Sequence, residues 1–234
     1  GTYTNSDYVV NCHDGVAHGE LDIYGILGMS CNGAFDTIAQ TLNSTKWQKL
    51  AEDFGYNQSD RSQVDFPYKK SHFDIASDDS VWSRMQLAIG QGTTTVTPLL
   101  NLMMYAAIAN DGVMMTPYLV DHYLDADGNV VEQTKPKALR SVCTKAEAEL
   151  MDEVLTYVIT NGTAAAGGSQ YARVSGKTGS AQYDSTKNYH AWFCGYGTND
   201  VSEIAVCVMI EKGGAGGIVA APVAGQIFDY YFSR

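Results

Sequence analysis

Apolar residues recur at three- and four-residue intervals through the first half of the chain and give way to short alternating runs in the second. In the first half this spacing predicts helices over residues 22–28, 33–42 and 46–54, the last closed by Gly55, which suits a helix C-terminus. Residues 57–80 are polar and aperiodic, and 81–89 form a further short helical stretch. Gly90-Gln91-Gly92 predicts a tight turn into the threonine-rich segment 93–97. A long helix follows from Pro98 to Asn110, with Thr97 as its N-cap, and Asp111-Gly112 ends it.

In the second half, strands over 118–124 and 130–132 flank the turn residues 125–129 of a hairpin. Residues 145–160 read as an amphipathic helix capped by Thr144. Three strand-like runs, 173–182, 190–196 and 203–211, are separated by turn residues at 184–188 and 197–200, which predicts an antiparallel meander. Gly213 to Gly217 reads as a flexible loop, and Ala220 to Phe232 as a closing helix. The fold class is α+β: a mainly helical lobe over residues 1–115, and an antiparallel sheet lobe over 116–234 with a packed C-terminal helix.

Composition narrows the function classes. Apolar residues make up 45% of the 234 and charged residues 18%, so the chain can bury a core and is not of disordered type. Fifteen basic against 26 acidic residues give a net charge of −11, which repels a polyanion and excludes nucleic acid as the expected partner. No 18-residue apolar run is present. The five histidines, at 13, 18, 72, 122 and 190, lack ligand spacing, and no two cysteines form a CxxC pair, so no metal is expected. No cofactor is expected either, because Gly213 to Gly217 has neither GxGxxG nor Walker spacing. Cys194 and Cys207 lie in apolar runs as small hydrophobes, whereas pairing of Cys12 with Cys31 in an oxidising compartment is left open. The methionine pairs 103–104 and 114–115 read as core filler.

Three segments carry candidate chemistry. Ser175-Gly176-Lys177-Thr178-Gly179-Ser180-Ala181 places a lysine and two hydroxyls on a strand opened by glycines. Such an edge can dock an extended peptide and its carboxylate, although a Gly-rich bulge with an exposed lysine has the same composition. Ser30-Cys31-Asn32 lies between two helices, where a plain helix cap is the commoner role. The block from Ala88 through Gly92 to Asn110 is, by composition, a turn plus a buried helix.

Taken together these segments resemble the transpeptidase domain of penicillin-binding proteins, in the β-lactamase/transpeptidase superfamily. Ser30-Cys31-Asn32 is similar to its second motif and Lys177-Thr178-Gly179 to its third. The resemblance runs along nearly the whole chain. It includes His18-Gly19, the Gly90-Gln91-Gly92 block, Gly162-Thr163-Ala164, Ala191-Trp192-Phe193 with Gly195-Tyr196, and Ala221-Pro222. The pattern is most similar to the class B, monofunctional enzymes of clostridial and related Gram-positive type.

The resemblance implies an extracytoplasmic, membrane-anchored enzyme that cross-links peptidoglycan stem peptides through an acyl-serine and is trapped by β-lactams. Ser30 would relay protons to the leaving amine, and Asn32 would hold the substrate's amide side chain. Lys177 would supply positive potential, Thr178 and Ser180 would bind the substrate carboxylate after Gly179, and the Ala181 N–H would form half of an oxyanion hole. Related readings are a D,D-carboxypeptidase, a β-lactamase, or a penicillin-sensing module without turnover. The family's first motif, Ser-x-x-Lys, is absent: Ser44 and Ser175 each have lysine two residues on, not three. The expectation is therefore a fragment lacking the nucleophile, the N-terminal part of the fold and the anchoring segment, inactive alone. Its uncovered surfaces are expected to favour the missing half of the domain, self-association or a swapped dimer.

Overall fold

The computed structural model describes residues 2–5, 8–12, 15–58, 64–186 and 188–234, so the expectations touching Gly1, His13 and Lys187 lie outside the described residues. Strands β1 (Thr2–Asn5) and β2 (Tyr8–Asn11) come first, then helices α1 (Ile23–Gly28), α2 (Asn32–Thr41) and α3 (Ser44–Asp53). Helices α4 (Val81–Ala88) and α5 (Pro98–Ala109) complete the helical part. Four short strands follow: β3 (Val113–Met115), β4 (His122–Leu124), β5 (Val130–Gln133) and β6 (Ala138–Ser141). Helix α6 (Lys145–Asn161) leads to strands β7 (Arg173–Gln182), β8 (Tyr189–Thr198) and β9 (Glu203–Ile210), and helix α7 (Gly216–Phe232) closes the chain.

The caps fall where the local sequence demands them. Thr97 accepts from the Leu100 N–H with Pro98 at the first helical position, and Thr144 forms a capping box with Glu147. Two elements lie outside the periodic pattern. The β1–β2 hairpin and the β3–β6 pair have only three or four residues per strand, too few for alternation to show. β3 pairs with β6 across the expected lobe boundary at 115/116, so that boundary is not a clean break. Only Met114 of its methionine pair is core; Met115 is exposed.

β7, β8 and β9 form an antiparallel meander in that order, with β7 at an edge. Directly opposed residues in such a ladder share a face. Phe193 faces α7, where its ring meets Phe228 edge to face with centroids 6.3 Å apart. Lys177 stands opposite Cys194, and Cys194 opposite Cys207, on the other face, towards α5. α7 begins at Gly216 rather than Ala220 because Gly216 sits against the sheet; a Cβ there would lie 2.3 Å from the Gly179 carbonyl oxygen and 2.5 Å from that of Trp192. The sequence reading starts this helix at Ala220, which would leave Pro222 in the first turn; with the start at Gly216, Pro222 is inside the helix. In the helical part the buried Arg84 donates to Ser44 Oγ, Ala39 O and Leu42 O at 2.6–2.7 Å. It thereby neutralises the C-terminal carbonyls of α2 and fixes that helix against α4.

Candidate active site

The segment Ser30-Cys31-Asn32 joins α1 to α2. Neither Ser30 nor Asn32 caps a helix: Cys31 is the N-cap of α2, without a side-chain cap bond, and Asn32 is already helical. The helix thus starts one residue earlier than its pattern indicates. Ser30 instead adopts a left-handed backbone with φ 51°. For a residue other than glycine, that conformation costs about 1–3 kcal/mol, and its surroundings must impose it. Asn32 Nδ2 donates to the Asn11 carbonyl at 3.0 Å, tying the loop to the end of β2.

Lys177 to Ala181 lie in the middle and distal part of edge strand β7. Lys177 donates to the Thr178 carbonyl at 3.0 Å, and no carboxylate among the described residues pairs with it. Part of the residue remains accessible, yet burial pulls the ammonium's pKa down to about 8. Ser180 Oγ accepts the Gly216 N–H at 3.0 Å, leaving its own proton free to donate. Of the two motif glycines, Gly176 serves packing: a Cβ there would meet the Phe193 ring at 2.7 Å. Gly179 lies opposite Trp192, on the same face as Lys177.

Thr163 links these two segments. Its N–H donates to the Gly28 carbonyl at 3.0 Å, two residues before Ser30, and its hydroxyl lies 3.3 Å from that of Thr178. Gly162 permits the approach, since a Cβ there would sit 2.5 Å from the Gly28 oxygen. The left-handed serine loop and the lysine-bearing edge strand are therefore held together through the end of α6. The combination offers an unpaired cation, hydroxyl donors and an open strand edge, which together suit a peptide carboxylate.

Three groups outside this arrangement also bear on chemistry. Cys12, His18 and Cys31 bring one ligand atom each within 4.8 Å of one another, a set hidden in the sequence because its members are 6 and 13 residues apart. Asp36, one helical turn beyond Asn32 on α2, is fully buried with neither carboxylate oxygen hydrogen-bonded, and burial lifts its pKa to about 6. Asp152 on α6 accepts from Tyr196 OH, Ser175 Oγ and Arg173 at 2.6–2.7 Å. Burial raises its pKa, but these bonds outweigh it and hold the carboxyl below its ordinary value. A further cavity, lined by Leu100, Met103 and Met114 in the helical part, is remote in sequence from both motif segments and contains none of their residues.

Comparison with known proteins identifies the family. The family described as penicillin binding protein transpeptidase domain matches residues 1–229. The chain is similar to peptidoglycan D,D-transpeptidase MrdA of Acinetobacter baumannii, at 28% identity over 237 residues, covering 92% of this chain and 35% of that protein. Among solved structures it superposes on the D,D-transpeptidase domain of a peptidoglycan glycosyltransferase from Eggerthella lenta with TM-score 0.86. That pair is 27% identical over 97% of this chain and 57% of the other. It also superposes on penicillin-binding protein 3 of Mycobacterium tuberculosis complexed with aztreonam, with TM-score 0.76 and 26% identity, over 90% of this chain and 51% of that one. The chain thus spans about a third of the length of the curated relative and about half of the solved chains.

Proposed function

Because the chain belongs to the penicillin-binding protein transpeptidase domain family, we propose that it supplies two walls of a serine D,D-transpeptidase site acting on peptidoglycan stem peptides. The observation that carries this reading is the Thr163 bridge, which sets the strained Ser30 loop beside an edge strand bearing an unpaired, partly desolvated lysine. In the reaction, a serine hydroxyl attacks the penultimate D-alanine carbonyl, expels the terminal D-alanine, and passes the acyl group to an amine. Ser30 shuttles the proton to the leaving amine, and Asn32 turns from Asn11 to hold the donor peptide's amide. Lys177, Thr178 and Ser180 hold the terminal carboxylate, with Gly179 keeping the strand edge open, and the Ala181 N–H stabilises the oxyanion. The aztreonam complex of the Mycobacterium tuberculosis relative supports β-lactams as a ligand class for this chain's family.

The attacking serine is not among the 234 residues, since no Ser-x-x-Lys occurs in them. We place it in sequence outside this chain, on the extracytoplasmic side where stem peptides are found. No helix among the described residues is long and apolar enough to cross a membrane. Fluorescent penicillin tests the assignment. A protein extended to include a Ser-x-x-Lys becomes covalently labelled, and Lys177→Ala in that protein lowers the acylation rate at least about 100-fold, as for loss of a main transition-state donor. The 234 residues alone stay unlabelled; covalent labelling of them would falsify the account. Release of D-alanine with an added amine acceptor separates transpeptidase from D,D-carboxypeptidase turnover, and hydrolysis of the bound penicillin identifies a β-lactamase.

A further inference from the structure

We propose that Cys12, His18 and Cys31 form a binding site for one soft divalent cation of the zinc class, built onto the loop that carries Ser30. The argument starts from the sulfur separation. Cys12 Sγ and Cys31 Sγ are 3.7 Å apart. Two thiolates at the usual Zn–S length of about 2.3 Å, on the corners of a tetrahedron, stand about 3.8 Å apart. A disulfide would bring them to about 2.05 Å. The pair is thus spaced as the edge of a coordination tetrahedron. A ring nitrogen of His18 completes a set of three donors within 4.8 Å.

The third donor is also prepared. His18 Nδ1 is buried and has no hydrogen-bond partner among the described residues, an arrangement that a metal or a tautomer-fixing contact would satisfy. Cys31 is the N-cap residue of α2, and its side chain makes no cap bond to the helix's own N–H groups. Two thiolates and an imidazole select zinc-class ions over magnesium or calcium. Three protein ligands leave the fourth position of the tetrahedron to water or an added ligand. On binding, two S–metal bonds and one N–metal bond form, waters leave the ion, and the thiol protons pass to solvent with no change in oxidation state.

The site's place in the fold gives it a consequence. Cys31 lies between Ser30 and Asn32, and Cys12 follows Asn11, whose carbonyl holds Asn32. The ion therefore clamps the end of β2 to the same loop that the Asn32–Asn11 bond already holds, and it helps to fix the left-handed Ser30.

The test reads metal binding, independently of any transpeptidase activity. The chain is stripped with a chelator under reductant and titrated with Zn²⁺ and with Co²⁺. Expected are one tightly bound equivalent per chain, release of protons, and for Co²⁺ the intense visible bands of a tetrahedral thiolate site. Cys12→Ser, Cys31→Ser and His18→Ala each weaken Zn²⁺ at least about 100-fold, whereas Cys194→Ser leaves it unchanged. Should a variant fail to fold, zinc protection from alkylation in the parent chain gives the same answer: Cys12 and Cys31 are shielded and Cys143 is not. Lack of a stoichiometric site, ligand variants that bind as the parent does, absence of zinc protection at the two thiols, or a Cys12–Cys31 disulfide that forms in the presence of zinc would each overturn the proposal.

Discussion

Asp36 offers a direct measurement of what burial does to a charge in this fold. Its side chain is fully buried on α2, a helix packed against α4 and β2, and neither oxygen has a hydrogen-bond partner among the described residues. Burial raises the folded-state pKa from 3.8 to about 6. Below 3.8 both folded and unfolded chains hold the proton, and Asp36 carries no penalty. As pH rises, the unfolded chain releases the proton first, so the folded state loses stability until its own carboxyl ionises, near pH 6. The gap between the two values corresponds to about 3 kcal/mol, fully developed above pH 7.

Asp36→Asn keeps the volume and removes the ionisation. The amide remains buried without partners, and that desolvation is the same at every pH, so the pH dependence isolates the charge. Urea unfolding of both proteins at pH 4 and pH 8 is the assay. The variant is expected to gain stability relative to the parent by up to about 3 kcal/mol between the two pH values, whatever its offset at pH 4. Carboxylates held low elsewhere, Asp152 and Asp184 among them, weaken both proteins alike in acid and cancel in the difference. A stability difference that stays flat with pH would refute the reasoning, because Asp36 would then not be titrating in the folded state.

Gly216→Ala drives a Cβ into the Gly179 and Trp192 carbonyls and is expected to cost about 1–3 kcal/mol in urea unfolding; an unchanged midpoint would mean that α7 shifts freely. Asp152→Ala leaves the donors of Tyr196, Ser175 and Arg173 without their shared acceptor and is expected to cost about 1–3 kcal/mol. Since the folded Asp152 titrates low, that loss is present at neutral pH and disappears as pH falls through the folded pKa, which two-pH unfolding checks. Carboxylate binding that needs the Lys177 ammonium falls as pH rises through about 8, by roughly tenfold per pH unit beyond it; titration of a D-alanyl-D-alanine peptide should show the break, and flat affinity to pH 10 would exclude the role. On α7, Val223, Ile227 and Tyr230 form an exposed apolar row, so sedimentation should detect concentration-dependent association that Ile227→Glu weakens.

Legibility in the sequence followed the range of the interactions. Helices α3, α5 and α6, the N-caps of the last two, and the β7–β9 meander were readable because periodicity and turn residues act within a few positions, whereas the Asn43 cap of α3 was not picked out. The β1–β2 and β3–β6 pairs were not, because three- and four-residue strands depend on partners that local pattern does not name. The same division holds at the candidate site. Ser30, Asn32 and the Lys177–Ala181 strand could be picked out as motifs, but of the positions that join them Thr163 was visible only as part of a resemblance and Gly216 only as part of a glycine-rich loop. Thr163 acts through one backbone bond and one hydroxyl contact, and Gly216 through the absence of a side chain. The Cys12–His18–Cys31 set depends on the α1–α2 loop returning to the end of β2, a tertiary event that no spacing rule encodes.

The strain at Ser30 and the low pKa of Lys177 have related origins. A left-handed serine persists only where its flanks are pinned, and here they are pinned on both sides. Gly28 is held by Thr163, Asn32 by Asn11. An ammonium with a pKa of about 8 likewise persists only where packing withholds both water and a counter-charge, and the strand supplies neither a carboxylate nor an open solvent shell. Both features are unfavourable to stability. A carboxylate at the β7 edge would pair with Lys177 and raise its pKa. If the proposed function holds, an extended peptide with a terminal carboxylate offsets the cost at Lys177, a cost that a glycine-rich bulge with a solvated lysine would not carry.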